Sequence, residues 1–139
     1  MNKKYAGLPD EIRTSLRLAN RWIYRKTFST GDRLKLYKEL GFLLGNKLRL
    51  NIALENMLTT ARNGGASAAR AAVWLEDILD GIKNGQSLDR ALAGWVPRGE
   101  CAIISSGVQD GKMVEALERA SLVVRGIDLL GRMRHKTGR

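Results

Sequence analysis

Two segments decide the fold of this chain: Asn84-Gly85-Gln86-Ser87-Leu88-Asp89-Arg90-Ala91-Leu92 and Ile103-Ile104-Ser105-Ser106-Gly107-Val108-Gln109-Asp110-Gly111-Lys112-Met113. In the first segment a glycine ends one helix, and a serine is placed to cap the next, whose leucines recur at helical spacing. In the second, two glycines punctuate the chain before a long amphipathic helix. The residues that carry this pattern are Gly85, Ser87, Leu88, Leu92, Gly107, Gly111 and Leu117. Both segments predict short turns between packed helices.

The rest of the sequence predicts the same architecture, an all-α six-helix bundle of antiparallel helices. Its 139 residues fit one domain that can bury a core. Apolar residues recur at helical spacing, and short polar or glycine-containing breaks separate the periodic stretches, which favours antiparallel neighbours. The six or seven predicted helices cover about residues 9–26, 32–46, 50–62, 67–83, 87–93, 97–106 and 112–133.

The formal net charge is +10, and it is concentrated at the two ends of the chain. Residues 1–30 carry seven basic and two acidic side chains, whereas residues 67–111 carry four basic and six acidic ones. We therefore divide the chain into a basic amphipathic helix at 1–30, a helical bundle at 31–125 and a basic tail at 126–139. We expect the basic ends to face an anionic partner, which could be nucleic acid, anionic lipid or an acidic protein surface.

Four arginines of the N-terminal helix recur at every fourth position: Arg13, Arg17, Arg21 and Arg25. Successive members are offset by about 40° around a helix, so they form a band nearly opposite the apolar face. Two interpretations stay open, a helix lying on an anionic membrane surface and a solvated face of a bundle helix. Arg132 and Arg134 belong to a second basic cluster, which fits the flank of a membrane span following this tail or a nucleic-acid-binding arm.

The sequence offers almost no catalytic material. The single histidine, His135, lies in the basic tail, and the single cysteine, Cys101, is expected to be a small buried hydrophobe. No cysteine–histidine spacing is suited to zinc. We expect no enzyme activity, no metal site and no cofactor.

Two further patterns suggest ligand sites only weakly. Residues 107–113 resemble a phosphate-binding loop, but the glycine spacing is one residue short and Met113 replaces the required hydroxyl. Glu76, Asp77 and Asp80 form an acidic turn, which we expect to face water because a divalent cation needs more oxygen ligands.

Residues 32–124 resemble the cytoplasmic domain of the type II secretion F family, the inner-membrane platform proteins of type II secretion systems and type IV pili. Three elements carry the resemblance. The first is a leucine-rich helix pair containing Leu43, Leu44, Leu48, Leu50, Ala53 and Leu54. The second contains Gly85, Ser87, Leu88, Ala91 and Leu92, and the third contains Gly107, Gly111, Lys112, Met113 and Leu117.

This sequence departs from the family pattern at two positions. Lys47 stands where the family usually has glycine, so we expect a different loop between the two leucine-rich helices. Val108 stands where the family has its most characteristic glutamate, so any interaction that this carboxylate makes in relatives is missing here.

The resemblance implies a six-helix bundle on the cytoplasmic face of a bacterial inner membrane, joined to the membrane through the basic tail. It implies that the domain passes conformational changes of the assembly ATPase to membrane subunits and performs no catalysis itself. The implied partners are that ATPase, other inner-membrane assembly subunits and a second copy of the chain. The alternative function is a basic helical nucleic-acid-binding protein, which the placement of basic residues at both ends disfavours.

Overall fold

The computed structural model describes residues 28–65 and 68–137, with side chains described as far as residue 126. Six α-helices and no β-strand occur in these ranges, which confirms the all-α prediction. The helices are α1 (Thr30–Gly45), α2 (Leu50–Arg62), α3 (Ala69–Lys83), α4 (Leu88–Leu92), α5 (Arg98–Asp110) and α6 (Met113–Thr137). The predicted helix at 9–26 and the predicted cap at Ser67 lie outside the described residues. No described helix is both long and apolar enough to cross a membrane.

The start of α1 is fixed by a capping box that the sequence analysis did not identify. The backbone N–H of Asp32 donates to the Ser29 hydroxyl at 3.1 Å, and the Ser29 N–H donates to the Asp32 carboxylate at 3.0 Å. This reciprocal pair satisfies two backbone N–H groups near the helix start. The helix therefore begins at Thr30, two residues before the predicted start at Asp32.

The most extensive packing joins α1 to α6 and α5 to α6. Gly111 and Lys112 form the short turn between α5 and α6, so these helices make a hairpin. The Cβ position of Gly41 lies 3.7 Å from the Leu117 Cβ, which brings the end of α1 beside the start of α6. The other helices follow in sequence, because α2 packs on α3, α3 on α4 and α4 on α5.

A continuous apolar core links all six helices. Leu36 and Leu40 of α1 are fully buried, as their spacing predicted, and so are Leu88, Leu92 and Leu117 from the sequence motifs. Several core side chains lie outside the predicted apolar stripes. These are Phe28, Tyr37, Trp74, Trp95 and Val96.

Three helices end in the same hydrogen-bonded turn, the Schellman motif. In this motif a residue just beyond the last helical turn adopts a positive φ, and two backbone N–H groups bind carbonyls of that turn. Gly85 with φ 89° and Gly111 with φ 70° occupy this position after α3 and α5. Lys47 occupies it after α1 with φ 71°. Lys47 thus adopts the left-handed conformation that glycine favours, and the expectation that its loop differs from the family's stays a prediction.

Gly107 has a different role from the one predicted. It lies inside α5, which continues to Asp110, so the predicted helix end near residue 106 is wrong. A Cβ at Gly107 would overlap the Ala116 Cβ and come within 2.9 Å of the Lys112 carbonyl oxygen. Glycine is therefore required here because the first turn of α6 approaches the α5 backbone, while Gly111 is the residue that ends the helix.

Candidate interaction surface

The outer faces of α1 and α2 form an open groove of about 360 Å³. Three apolar and four polar or charged side chains line it. The lining residues are Lys38, Glu39, Phe42 and Leu43 from α1, and Asn56, Met57 and Thr60 from α2. The Thr60 hydroxyl donates to the Asn56 carbonyl at 3.0 Å, so this polar group is already satisfied by its own helix. The groove can therefore accept apolar groups without leaving that hydroxyl unpaired.

Phe42 is the most exposed large apolar side chain in the described part of the chain, with 70% of its surface accessible. It lies about 200° around the helix from Leu40, at 100° per residue, so it points away from the core. Burying such a side chain contributes about 1.5–3 kcal/mol, which the isolated chain forgoes. A large exposed aromatic beside an open groove is typical of a binding anchor.

Three exposed basic side chains lie on the α1–α2 hairpin that forms this groove. Lys38 lines it, and Lys47 and Arg49 are exposed in the loop that joins its two walls. None of these three forms an ion pair with another described residue, whereas Glu39 lies 4.0 Å from Lys35. The hairpin therefore carries three exposed cations that no acidic side chain of the described residues pairs with.

A buried polar network holds α1 against α5 and fixes the position of the groove wall. Glu100, only 2% exposed, accepts hydrogen bonds from Arg33 Nε at 2.9 Å and from Arg33 Nη2 at 3.2 Å. The Tyr37 hydroxyl donates to the same carboxylate at 2.7 Å. Burial, followed by the hydrogen bond to Glu100, raises the pKa of Tyr37 well above its usual range. The three side chains form a structural network, since each buried polar group has a partner.

A second polar contact connects α4 to α5. The Cys101 thiol is half-buried and donates to the Asp89 carbonyl at 3.3 Å. Burial is the largest cause that raises the pKa of Cys101, and the charge of Asp89 adds to it. A thiol with a raised pKa carries little thiolate, so Cys101 has the character of a packing residue rather than of a nucleophile.

Ser87 occupies the N-cap position of α4, as predicted, but its side chain makes no capping hydrogen bond to the helix. The Ser87 hydroxyl instead forms a hydrogen bond to the Asp89 carboxylate, and this is the largest cause that lowers the pKa of Asp89. The predicted side-chain cap is therefore wrong, although the helix does begin after Ser87.

The other motif residues have structural roles in the fold rather than roles in a ligand site. Gly85 and Gly111 form helix-ending turns, Gly107 permits close packing, and the three leucines fill the core. Val108, at the position of the family's glutamate, is half-buried against the core. Arg13, Arg17, Arg21 and Arg25 lie outside the described residues, and Arg132 and Arg134 lie in α6 beyond the described side chains.

The weak ligand patterns of the sequence do not form sites. Residues 107–113 span the end of α5 and the start of α6, so the segment follows a helix and not the strand that a phosphate-binding loop requires. In the acidic turn, Asp77 accepts a hydrogen bond from the Trp95 indole N–H at 2.6 Å, and Glu76 lies 3.6 Å from Arg62. No group of potential metal ligands is found among the described residues.

Sequence reasoning missed both Phe42 and the Arg33–Glu100 pair. Phe42 could have been identified, because a helical wheel places it opposite the leucine stripe of α1. The ion pair had no local signal, since its residues are 67 positions apart.

No protein-family model and no curated protein matches this chain. The resemblance to the type II secretion F family therefore depends on the motif residues alone.

Proposed function

We propose that this chain is a helical scaffold domain, the cytoplasmic domain of a platform protein in type IV pilus assembly or type II secretion. One observation carries the proposal: the groove between α1 and α2 exposes Phe42 and lies within the first of the three family-like elements. An exposed aromatic anchor on a rigid bundle suits a role in holding another protein. Gly85 and Gly111 end helices and the motif leucines fill the core, which supports the resemblance.

In this proposal the chain couples an assembly ATPase to the membrane subunits. The helix α6 continues through Arg132 and Arg134, so its basic end suits the approach to an anionic bilayer surface. The bundle would transmit force because its helices are joined through one packed core. Homodimerisation, at the cytoplasmic face of a bacterial inner membrane, belongs to the same proposal.

The direct test is binding of the 139-residue chain to the assembly ATPase of the same organism, measured by isothermal titration calorimetry. We expect a complex that Phe42→Ser weakens at least about tenfold, equivalent to about 1.4 kcal/mol. The matched control is Leu122→Ser, which removes another exposed apolar side chain, 56% accessible, from α6. No binding of the ATPase by the wild-type chain would contradict the proposed coupling role.

The nucleic-acid alternative is supported by the net charge of +10. It predicts duplex DNA binding that falls steeply with salt and is independent of Phe42. Binding to DNA at physiological salt together with failure to bind the ATPase would favour this alternative.

A further inference from the structure

We infer that the groove between α1 and α2 binds an acidic amphipathic helix of a partner protein. This inference deepens the proposed scaffold function by naming the kind of segment that the domain holds. It rests on the shape of the groove, on the exposure of Phe42 and on the charge around both.

The shape of the groove favours a helix. Its walls are two helices: Phe42 and Leu43 line it from α1, and Met57 lines it from α2. An amphipathic helix fits such a space by inserting side chains from positions i, i+3 or i+4, and i+7. Phe42 would then be buried between the partner helix and α2, which recovers the free energy that its exposure forgoes.

The charge around the groove selects the partner. Lys38, Lys47 and Arg49 are exposed and form no ion pair with another described residue, and the single acidic lining residue, Glu39, lies near Lys35. Acidic residues flanking the apolar stripe of a partner helix would approach these cations. A basic helix would be repelled, so charge gives the groove selectivity as well as faster association.

The acidic side chains of α1 and α2 are already paired with other basic residues. Between α2 and α3, Arg62 lies 3.6 Å from Glu76 and Lys83 lies 3.5 Å from Glu55, so charges are matched there. Within the α1–α2 hairpin each acidic side chain, Asp32, Glu39 and Glu55, therefore has a basic partner. Its three unpaired basic side chains are left for an acidic partner to contact.

The test uses two synthetic peptides of about 18 residues, a length that supports a helix. Both carry the same leucines at helical spacing, but one has flanking glutamates and the other has flanking lysines. Binding to the full 139-residue chain is measured by fluorescence anisotropy, and the site is located by NMR chemical-shift changes. We expect the acidic peptide to bind with a Kd of about 1–100 μM and the basic peptide at least about tenfold more weakly.

Three variants make the test specific. Phe42→Ser should weaken binding of the acidic peptide at least about tenfold, and Lys38→Glu about threefold to tenfold, whereas Leu122→Ser should leave it unchanged. Phe42 and Lys38 are exposed, so their variants are expected to fold, and thermal unfolding verifies this. Equal binding of both peptides, or binding insensitive to Phe42→Ser, would overturn the inference.

Self-association distinguishes a second copy from a partner helix. If the wild-type chain dimerises and Phe42→Ser abolishes dimerisation, the groove is occupied by another copy and the inference is wrong. If the acidic peptide does not bind but the ATPase does, the inference about the groove is wrong and the proposed scaffold function stands. If the acidic peptide binds but the ATPase does not, the inference about the groove stands and the proposed ATPase partner is wrong.

Discussion

Arg33 and Glu100 form a buried ion pair with two hydrogen bonds, although 67 residues separate them. The pair fastens the first turn of α1 to the first turn of α5. Because the guanidinium and the carboxylate are planar, the paired geometry fixes the rotation of α1 as well as its distance. The direction in which Lys38 and Phe42 project from the opposite face of α1 follows from that rotation. The network thus connects the core to the candidate interaction surface.

Removing one partner of this pair should be strongly destabilising. We expect Arg33→Ala to lower the free energy of unfolding by about 3–5 kcal/mol, because it leaves the Glu100 carboxylate buried without its counterion. Urea denaturation followed by circular dichroism measures the change. The matched control is Lys35→Ala, which removes a cation from an exposed pair and should cost at most about 1 kcal/mol. Similar losses for the two variants would show that the buried pair contributes no more than a surface pair.

Tyr37 makes the free energy of unfolding depend on pH in the alkaline range. Its pKa in the folded chain lies above the value of about 10 expected in the unfolded chain. Its contribution is therefore fully present below pH 10 and decreases as pH rises, because only the unfolded state loses the proton. The free energy of unfolding should fall by up to about 1.4 kcal/mol per pH unit above pH 10 from this group.

The control for this pH effect is Tyr37→Phe. At neutral pH the variant should be less stable by about 1.5–3 kcal/mol, since it loses a hydrogen bond to a charged group. The stability difference between wild type and variant should shrink as the pH rises from about 9 to 11. A difference that stays constant over this range would contradict the assignment of a raised pKa to Tyr37.

Much of the fold could be predicted because its signals are local. The periodic leucines identified α1, and the breaks at glycine identified the ends of α2 and α3. The role of Gly107 could not be predicted, since a glycine inside a helix and a glycine beyond its end look alike in the sequence. What separates them is the position of Ala116, which depends on how two helices meet. Of the interaction surface, only the exposure of Phe42 could be predicted from the sequence. The groove beside Phe42 could not, because it forms only where α2 packs beside α1.

Gly107 and Gly99 form a matched pair of glycines in one helix. Gly107→Ala should destabilise the chain by about 1–3 kcal/mol, because the added methyl overlaps Ala116 and presses on the α6 backbone. Nothing lies within 4 Å of the Cβ position of Gly99, so Gly99→Ala should be neutral or stabilising by up to about 1 kcal/mol. Thermal unfolding of both variants measures the difference. If Gly107→Ala were as stable as Gly99→Ala, the close approach of α5 and α6 would be wrong.

Lys47 and Gly85 offer a test of the shared helix-ending turn, in which one position carries a strained residue and the other does not. Lys47→Gly should stabilise the chain by about 0.5–1 kcal/mol, because glycine adopts the φ of 71° without the steric cost that a Cβ imposes. Gly85→Val should destabilise it by about 1 kcal/mol or more, since a β-branched residue strongly disfavours the φ of 89°. Nothing lies within 4 Å of the Cβ position at Gly85, so that loss would come from backbone conformation and not from a steric clash with neighbouring atoms.

Gly45→Ala, at an equally open position without a positive φ, is the control and should not be destabilising. Chemical denaturation of the three variants gives the answer, and a stabilising Gly85→Val or a destabilising Lys47→Gly would contradict the left-handed conformation at that position.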